Sequence, residues 1–540
     1  MERTLSHFFT APIAQKAGYM IETGYLYHAP LDPLVTGLAY DSREVEQGNI
    51  FFALAGIHHD GHAFVPDAIK RGASVIIHQN ELDFYHPDIV YIKVKDSRAA
   101  MSPVAAAFYG FPSKHLSVVG VTGTEGKSTT VYLIYQLLKL SGKAAGFLST
   151  VQFNHGGGEQ WNRKHETTPE AASVHKALSL MRDNGLEYAV IEASSHGLSA
   201  KTNRLGDVAF DAAVLTNVNR EHLEFHETWE QYRYDKANLF RALDAFSHEK
   251  ALSKEAAGKA AVPSFAVVNL DDPSAAYFSE ATRHIVYTYS VRGRNADLKL
   301  EKAASSQTGN WYELSVRSKS RNPEEVIDLR DRLPGAFNAG NVLASLLTVS
   351  QLLLVPIKSL APLVPLLKPV LGRMTRLVRG QPFEVLVDFA HTPSSFQAVF
   401  PPLRERIGRG RIISLFGSAG DRDTSKRGEQ GRIAAEWSDI VILTDEDPRG
   451  EAPLAILEEI ASGIPSGKRG EDLFLIPNRP AAVRTAFVMA KKGDLVILLG
   501  KGHENSIIYA GEVRPYNEID EAEKALAELG YIGGSPRLSV

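Results

Sequence analysis

The stretch HLSVVGVTGTEGKSTTVYLIYQLLKL, residues 115 to 140, constrains the fold more than any other part of the chain. Its β-branched start has the composition of a buried parallel strand, and the apolar residues after Lys127 recur at helical spacing. Strand, glycine loop and helix in that order make a phosphate-binding turn. Gly123 and Gly126 let backbone amides curl around an anion, the helix start adds its positive dipole end, Lys127 reaches the β/γ-phosphates, and the Ser128 hydroxyl can ligate Mg²⁺. The spelling departs from GxxxxGK[ST], because five residues separate Gly120 from Gly126.

The same grammar continues along the chain. Residues 113–361 carry EYAVIEAS, DAAVLTNV and SFAVVNLDDP, and residues 362–540 carry FEVLVDFAHTP, RIISLFGSAGDRD, DIVILTDEDPR and DLVILLGKGHE. Short apolar strands that each end in a polar loop and alternate with helices predict doubly wound α/β units with ligands beyond the carboxyl ends of the strands. Residues 1–112 predict a smaller α/β unit, with strands in NIFFALAG, ASVIIHQN and DIVYIKV and helices at 64–71 and in SRAAMSPVAAAFYG. Three domains suit a chain of 540 residues. NHGGGEQWNRKH and LSKEAAGKAA have the composition of surface loops.

Several partner classes are disfavoured. A net charge of −4 without a basic block argues against nucleic acid and for small-molecule substrates. The absence of cysteine removes thiol catalysis and cysteine-ligated zinc, and fits a cytoplasmic setting. The start shows no signal-peptide pattern. The most apolar segment, QLLLVPIKSLAPLVPLLKPVL, is broken by prolines and lysines, so it predicts short helices and a linker rather than a membrane span. Two strand-end residues, Glu192 and His222, are placed to meet the metal side of the phosphate loop, though each on residue type alone is an ordinary polar loop residue.

The phosphate loop resembles the GxxGTxGK[ST]T form of Mur ligases. TTPE, EASSHGL, TNVNREHLEFH, YDKANLF, GAFNAGN, DFAHTP, GDRD, DPR and GKGHE follow in that family's order, with DSR near the start, and together they resemble the branch that adds the third residue of the peptidoglycan stem peptide. The resemblance implies a three-domain architecture. An N-terminal domain holds the UDP end, a central P-loop domain with a parallel sheet binds ATP, and a C-terminal Rossmann-like domain takes the amino acid.

It also implies site residues. ATP contacts fall on Gly123, Thr124, Glu125, Gly126, Lys127, Ser128, Thr129, Asn338, Asn341, Arg373, Asp388 and His391. Glu125 stands where asparagine is common, and a carboxylate there is unfavourable beside a γ-phosphate unless it faces solvent or metal. UDP-muramoyl-dipeptide contacts fall on Ser42, Gly56, Ile57, His58, His59, Thr167, Thr168, Ser194 and Arg204. Two Mg²⁺ would lie among Ser128, Glu192, His222 and Lys236, with Lys236 converted by CO₂ into a carbamate; without the family, Lys236 is a solvated lysine on an amphipathic helix. The incoming amino acid falls to Arg422, Glu446, Asp447, Pro448, Arg449, Gly500 and Glu504. Relatives that add meso-diaminopimelate have asparagine at the Asp447 position. A carboxylate there attracts a bare distal ammonium unless Arg449 neutralises it, so the expectation is lysine or ornithine, with meso-diaminopimelate as the alternative. The implied enzyme is a monomeric ATP-dependent ligase acting through an acyl phosphate. Its rivals are a folylpolyglutamate synthetase-like ligase and a nucleotide-binding regulatory protein without activity.

Overall fold

The computed structural model describes residues 2–18, 26–27, 32–56, 60–162, 166–219, 221, 223–252, 260–306, 309–317, 325–335 and 338–533. Three large sheets follow one another along the chain. In the first, strands Gly37–Ala39, Asn49–Phe52, Val75–His78 and Val90–Lys93 lie parallel in sequence order, and Leu26–Tyr27 closes the edge antiparallel. The helix Ser97–Phe108 starts where the Asp96 carboxylate accepts from the Arg98 and Ala99 amides. It lays Ala100, Met101 and Val104 on Ile50, Phe52, Val75 and Ile92.

Among the described residues the central sheet has 11 strands. Its middle is parallel: Ala145–Leu148, Tyr188–Glu192, Ser117–Thr122, Ala212–Leu215, Phe265–Asn269 and Ile285–Ser290, in that spatial order. Ser117–Thr122 is buried along its whole length, as its β-branched run requires of a strand covered on both faces. Helices Lys127–Leu140 and Asn338–Leu353 cover one face with Leu133, Leu137, Leu343 and Leu347. Helices Ala171–Asp183 and Trp229–Leu243 cover the other with Val174, Leu178, Leu239 and Phe240. Beyond Ile285–Ser290 the sheet continues through Leu298–Ser306, Gly309–Val316 and Glu325–Asp331, the last two joined antiparallel. At the other edge Gln152–Asn154 and Gln160–Trp161 pair antiparallel, so part of the expected surface loop NHGGGEQWNRKH is an exposed edge strand. Ala260–Ala261, in the second expected loop, pairs with Glu249–Lys250.

The proline-rich segment behaves as expected. The helix Asn338–Leu353 gives way to Ile357–Leu366 at an angle of 110°, and among the described residues no single helix is long and apolar enough to cross a membrane. Leu352, Ile357, Leu360, Val364 and Val370 from this stretch fill the central core.

The third sheet orders Thr375–Leu377, Glu384–Asp388, Leu495–Leu499, Ile412–Phe416, Ile440–Leu443 and Leu473–Leu475, all parallel except the first pair. Its carboxyl ends carry DFAHTP, GDRD, DEDPR and GKGHE. A reciprocal pair ties the preceding segment to the central unit: Gln136 Nε2 donates to Lys368 O at 2.9 Å, and Lys368 N donates back to Gln136 Oε1 at 2.8 Å.

Candidate active site

After Thr122 the chain turns through Gly123 at φ 152° and Gly126 at φ 82°, and Lys127 opens the helix. A Cβ on Gly123 would lie 1.8 Å from Thr216 Oγ1, and one on Gly126 would lie 2.5 Å from Asn341 Oδ1. The loop is wedged between the end of Ala212–Leu215 and the start of Asn338–Leu353, so only glycine allows this approach. What results is a cradle of backbone amides at a helix N-terminus, a fit for phosphate. Lys127 Nζ donates to Thr124 O at 2.7 Å, which folds its ammonium over the loop. Thr124 Oγ1 accepts from Asn219 N at 2.9 Å and meets Tyr232 OH at 3.0 Å. Ser128 is buried in the first helical turn, and Thr129 beside it is half-buried.

Glu125 is half-buried. Its amide donates to Asn217 Oδ1 at 2.9 Å and its carbonyl accepts from Thr216 Oγ1 at 2.6 Å. Its carboxylate accepts from Thr392 Oγ1, at 3.4 Å, across to the C-terminal unit. Burial and the nearby Glu221 raise its pKa, against Lys127 and Arg373. Asn338 and Asn341 belong to the same surface. Thr130 Oγ1 donates to Asn341 Oδ1 at 3.1 Å, Asn341 Nδ2 to Asn338 Oδ1 at 2.9 Å, and Asn338 Nδ2 to Pro334 O at 2.7 Å. Both amides are engaged with protein groups here, so reading an adenine edge requires them to exchange partners.

Lys236 sits mid-helix on Trp229–Leu243, yet it is only 1% exposed. Its Nζ donates to Gly123 O at 2.6 Å and lies 4.4 Å from the Tyr232 ring centroid. Burial first and Lys127 second hold its pKa well below the ordinary lysine value, while Glu221, Glu125 and Glu192 act in the opposite direction. A solvated helix-face lysine is therefore excluded. Glu192 closes its strand 2% exposed, with Oε2 accepting from Thr150 N at 2.8 Å. His222 lies outside the described residues, and among the described residues no group of three or more His, Asp or Glu could hold a metal. Ser128, Glu192 and Lys236 supply oxygen and amine chemistry that fits Mg²⁺ once the amine bears a carboxyl group.

The expected dipeptide contacts centre on Thr168. Its hydroxyl donates to Glu192 O at 3.0 Å and accepts from Ser194 N at 3.0 Å and Ser194 Oγ at 2.9 Å. Arg204 donates to Thr168 O at 2.6 Å and to Glu170 Oε1 at 2.8 Å. Arg98, from the N-terminal unit, reaches the same Glu170 oxygen. Sequence reasoning passed over Arg98, although the tripeptide Asp-Ser-Arg occurs at both 41–43 and 96–98. Thr167 is half-buried next to Thr168. Ser42 opens a short turn in which the Asp41 carboxylate accepts from Arg43 N, and Gly56 is exposed. Ile57, His58 and His59 lie outside the described residues.

On the C-terminal unit, Arg373 stacks its guanidinium 4.5 Å from the Phe389 ring centroid, and its buried Nε has no hydrogen-bond partner. Asp388 accepts from Met374 N and Ala390 N, both at 2.7 Å, so its carboxylate holds the turn in place. Burial and the nearby Lys426 push His391 down to about 4, and its Nδ1 lies 2.8 Å from Phe389 O.

Around the expected amino-acid pocket, one expectation is corrected. Asp447 does not present a bare carboxylate: Lys501 Nζ and Ile508 N both donate to its Oδ1 at 2.9 Å. The neutralising cation is not Arg449 but Lys501, the buried lysine of GKGHE. Arg449 takes φ 54° and donates its amide to Ile508 O at 2.9 Å, and its buried Nε has no partner. Pro448 packs its carbonyl against Gly420, where a Cβ would come within 1.9 Å. Glu446 is buried, with pKa raised by that burial, while Arg422 is exposed on the GDRD loop.

Three family models match the chain: Mur ligase family, catalytic domain, at residues 34–109; Mur ligase middle domain, at 121–349; and Mur ligase, glutamate ligase domain, at 372–502. A UDP-N-acetylmuramyl-tripeptide synthetase of Treponema denticola is 50% identical over 515 residues, covering 91% of this chain and 94% of its own. A UDP-N-acetylmuramoyl-L-alanyl-D-glutamate--2,6-diaminopimelate ligase of Bacillus velezensis is 35% identical, covering 92% and 95%. A solved structure of a ligase of that second name is 28% identical with a TM-score of 0.58, over 92% of this chain and 95% of the other.

Proposed function

We infer the chemistry of this site from the family to which the chain belongs, the Mur ligases: it is an ATP-dependent ligase that adds a diamino acid to a peptidoglycan precursor, UDP-N-acetylmuramoyl-L-alanyl-D-glutamate. The observation that carries the finer mechanism is the buried Lys236 donating to the phosphate loop at 2.6 Å. Carbamate formation from CO₂ needs a neutral amine, and burial moves Lys236 in that direction. We place two Mg²⁺ among Ser128, Glu192, His222 and the Lys236 carbamate, where they would neutralise phosphate charge.

The chain's own residues then do the following. The amides of residues 126–128 cradle the β/γ-phosphates, those of Thr124 and Glu125 being held by Asn217, and Lys127 leaves Thr124 O to meet them. Thr168, Ser194 and Arg204 orient the dipeptide so that its γ-carboxylate attacks the γ-phosphate, giving an acyl phosphate and ADP. The diamino acid's α-amine, held by the C-terminal unit, displaces phosphate. Phosphoryl transfer is largely positioning and charge stabilisation, so no nucleophilic side chain is required. Residues 1–112, 113–361 and 362–540 divide the UDP end, ATP and the amino acid among themselves, and closure would keep water from the acyl phosphate. We place the enzyme in the cytoplasm as a monomer.

The test is ADP release by the purified chain with UDP-muramoyl-dipeptide and each of L-lysine, L-ornithine and meso-diaminopimelate. ADP release that requires both the dipeptide and a diamino acid is expected. Release with a folate instead, or none with any of the three, would overturn the reading.

A further inference from the structure

Lys501 follows the strand Leu495–Leu499 on the loop between Gly500 and Gly502, and its side chain is fully buried. Its Nζ lies 2.9 Å from Asp447 Oδ1 and 2.5 Å from Glu504 Oε2. The Ile508 amide holds the same Asp447 oxygen from the other side, at 2.9 Å. Next to this cluster Glu446 is 7% exposed, and its buried Oε2 has no hydrogen-bond partner. That oxygen points at the Gly500 backbone, where a Cβ would come within 2.8 Å. One ammonium therefore serves two carboxylates, with a third beside them.

Burial works against the Lys501 charge, but Glu504 and Asp447 outweigh it, so the lysine stays protonated above its ordinary value. In a buried cluster a unit charge is felt far more strongly than at the surface. Taking away the ammonium would leave two carboxylates uncompensated. Taking away the Asp447 charge would leave a surplus of positive charge beside Arg449.

We propose that Lys501 is a positioning residue that sets amino-acid specificity, fixing Asp447 and Glu504 and cancelling the Asp447 charge. The Lys501–Asp447 pair, not Asp447 alone, decides between a diamino acid with a bare distal ammonium and one that also carries a distal carboxylate. The inference rests on the reading that this pocket receives the third amino acid.

The experiment compares kcat/KM for L-ornithine with kcat/KM for meso-diaminopimelate in the full chain and three variants, with ATP and UDP-muramoyl-dipeptide saturating. Lys501→Met adds one net negative charge and should raise the ornithine-to-diaminopimelate ratio about tenfold or more. Asp447→Asn should lower it by a similar factor, and the double variant should return to within about threefold of the parent. The change should fall in KM for the amino acid, with KM for ATP unmoved. A structural role would lower both activities together and leave the ratio alone. That outcome, or a ratio within about threefold of the parent in both single variants, would overturn the proposal. If Lys501→Met does not fold, Lys501→Gln, which also removes the charge, is read in its place with the same expectation. A parent chain that uses neither of these nor L-lysine would instead sink the ligase reading.

Discussion

A lysine ammonium with 1% exposure has lost nearly all of its hydration, and Lys236 replaces it with one carbonyl at 2.6 Å and one aromatic face. With Lys127 repelling it as well, the balance moves toward the neutral amine, which is the form that attacks CO₂. Lys236→Ala should therefore lower substrate-dependent ADP release by about a hundredfold or more, and a short carboxylic acid in the buffer should restore part of it. Full activity without added acid would reduce Lys236 to a packed helix residue. Lys127→Ala should abolish ADP release while leaving Tm within about 2 °C, since Lys127 is half-buried and bonds only its own loop. Near-parental turnover would remove the phosphate-loop assignment. Lys127 was legible in the sequence because motif spacing fixes it to the helix start after a strand, and Lys236, mid-helix, only through the family resemblance. Lys501 and Arg98 were not, because their partners, Asp447 and Glu170, lie 54 and 72 residues away and only the fold brings them together.

At the scale of elements, the loop after Ser117–Thr122 is shaped by what surrounds it. Gly123→Ala would press a methyl group against Thr216 Oγ1, 1.8 Å away, so the loop must shift and its amides must turn from the anion. ADP affinity by calorimetry should fall about tenfold or more. Gly142→Ala is the control. Gly142 also has positive φ, at 76°, but nothing lies within 4 Å of its Cβ position, so about 1 kcal/mol of stability should go with ADP affinity unchanged. Equal losses of affinity in both variants would show that backbone strain, not contact with Thr216, governs the loop. The parallel strands were readable as apolar runs because both of their faces are buried. The antiparallel extension Leu298–Ser306 to Glu325–Asp331 and the edge strand Gln160–Trp161 were not. Their residues alternate or are exposed, so their pairing depends on backbone hydrogen bonds that leave little trace in residue type.

Across the whole molecule, the N-terminal and central units share the helix Ala171–Asp183: Ala171 and Ala172 pack in the first core, and Val174, Leu178 and Met181 in the second. The Lys16–Asp207 pair at 2.8 Å crosses the same junction. His175 lies between, fully buried with both ring nitrogens unpartnered, and burial pushes it down to about 4 against a weaker pull from Asp207. Its folded pKa is below its unfolded value, so the unfolded chain binds the extra proton and the histidine's contribution is complete only above about pH 6.5. As the pH falls from there toward 4, that contribution is lost, amounting to about 2 kcal/mol by pH 5. Buried carboxyls with raised values, Asp331 and Asp388 among them, act in the opposite direction, so the parent's own acid curve mixes the two. The difference between parent and variant isolates the histidine. His175→Leu should be relatively more stable at pH 5 than at pH 7.5, by about 2 kcal/mol in urea unfolding. The gain should appear in the transition that reports the N-terminal and central units, because three separate sheets need not unfold together. A difference that does not change with pH would mean that His175 takes up its proton in the fold as readily as in the unfolded chain, and the junction would then have no acid sensitivity of its own.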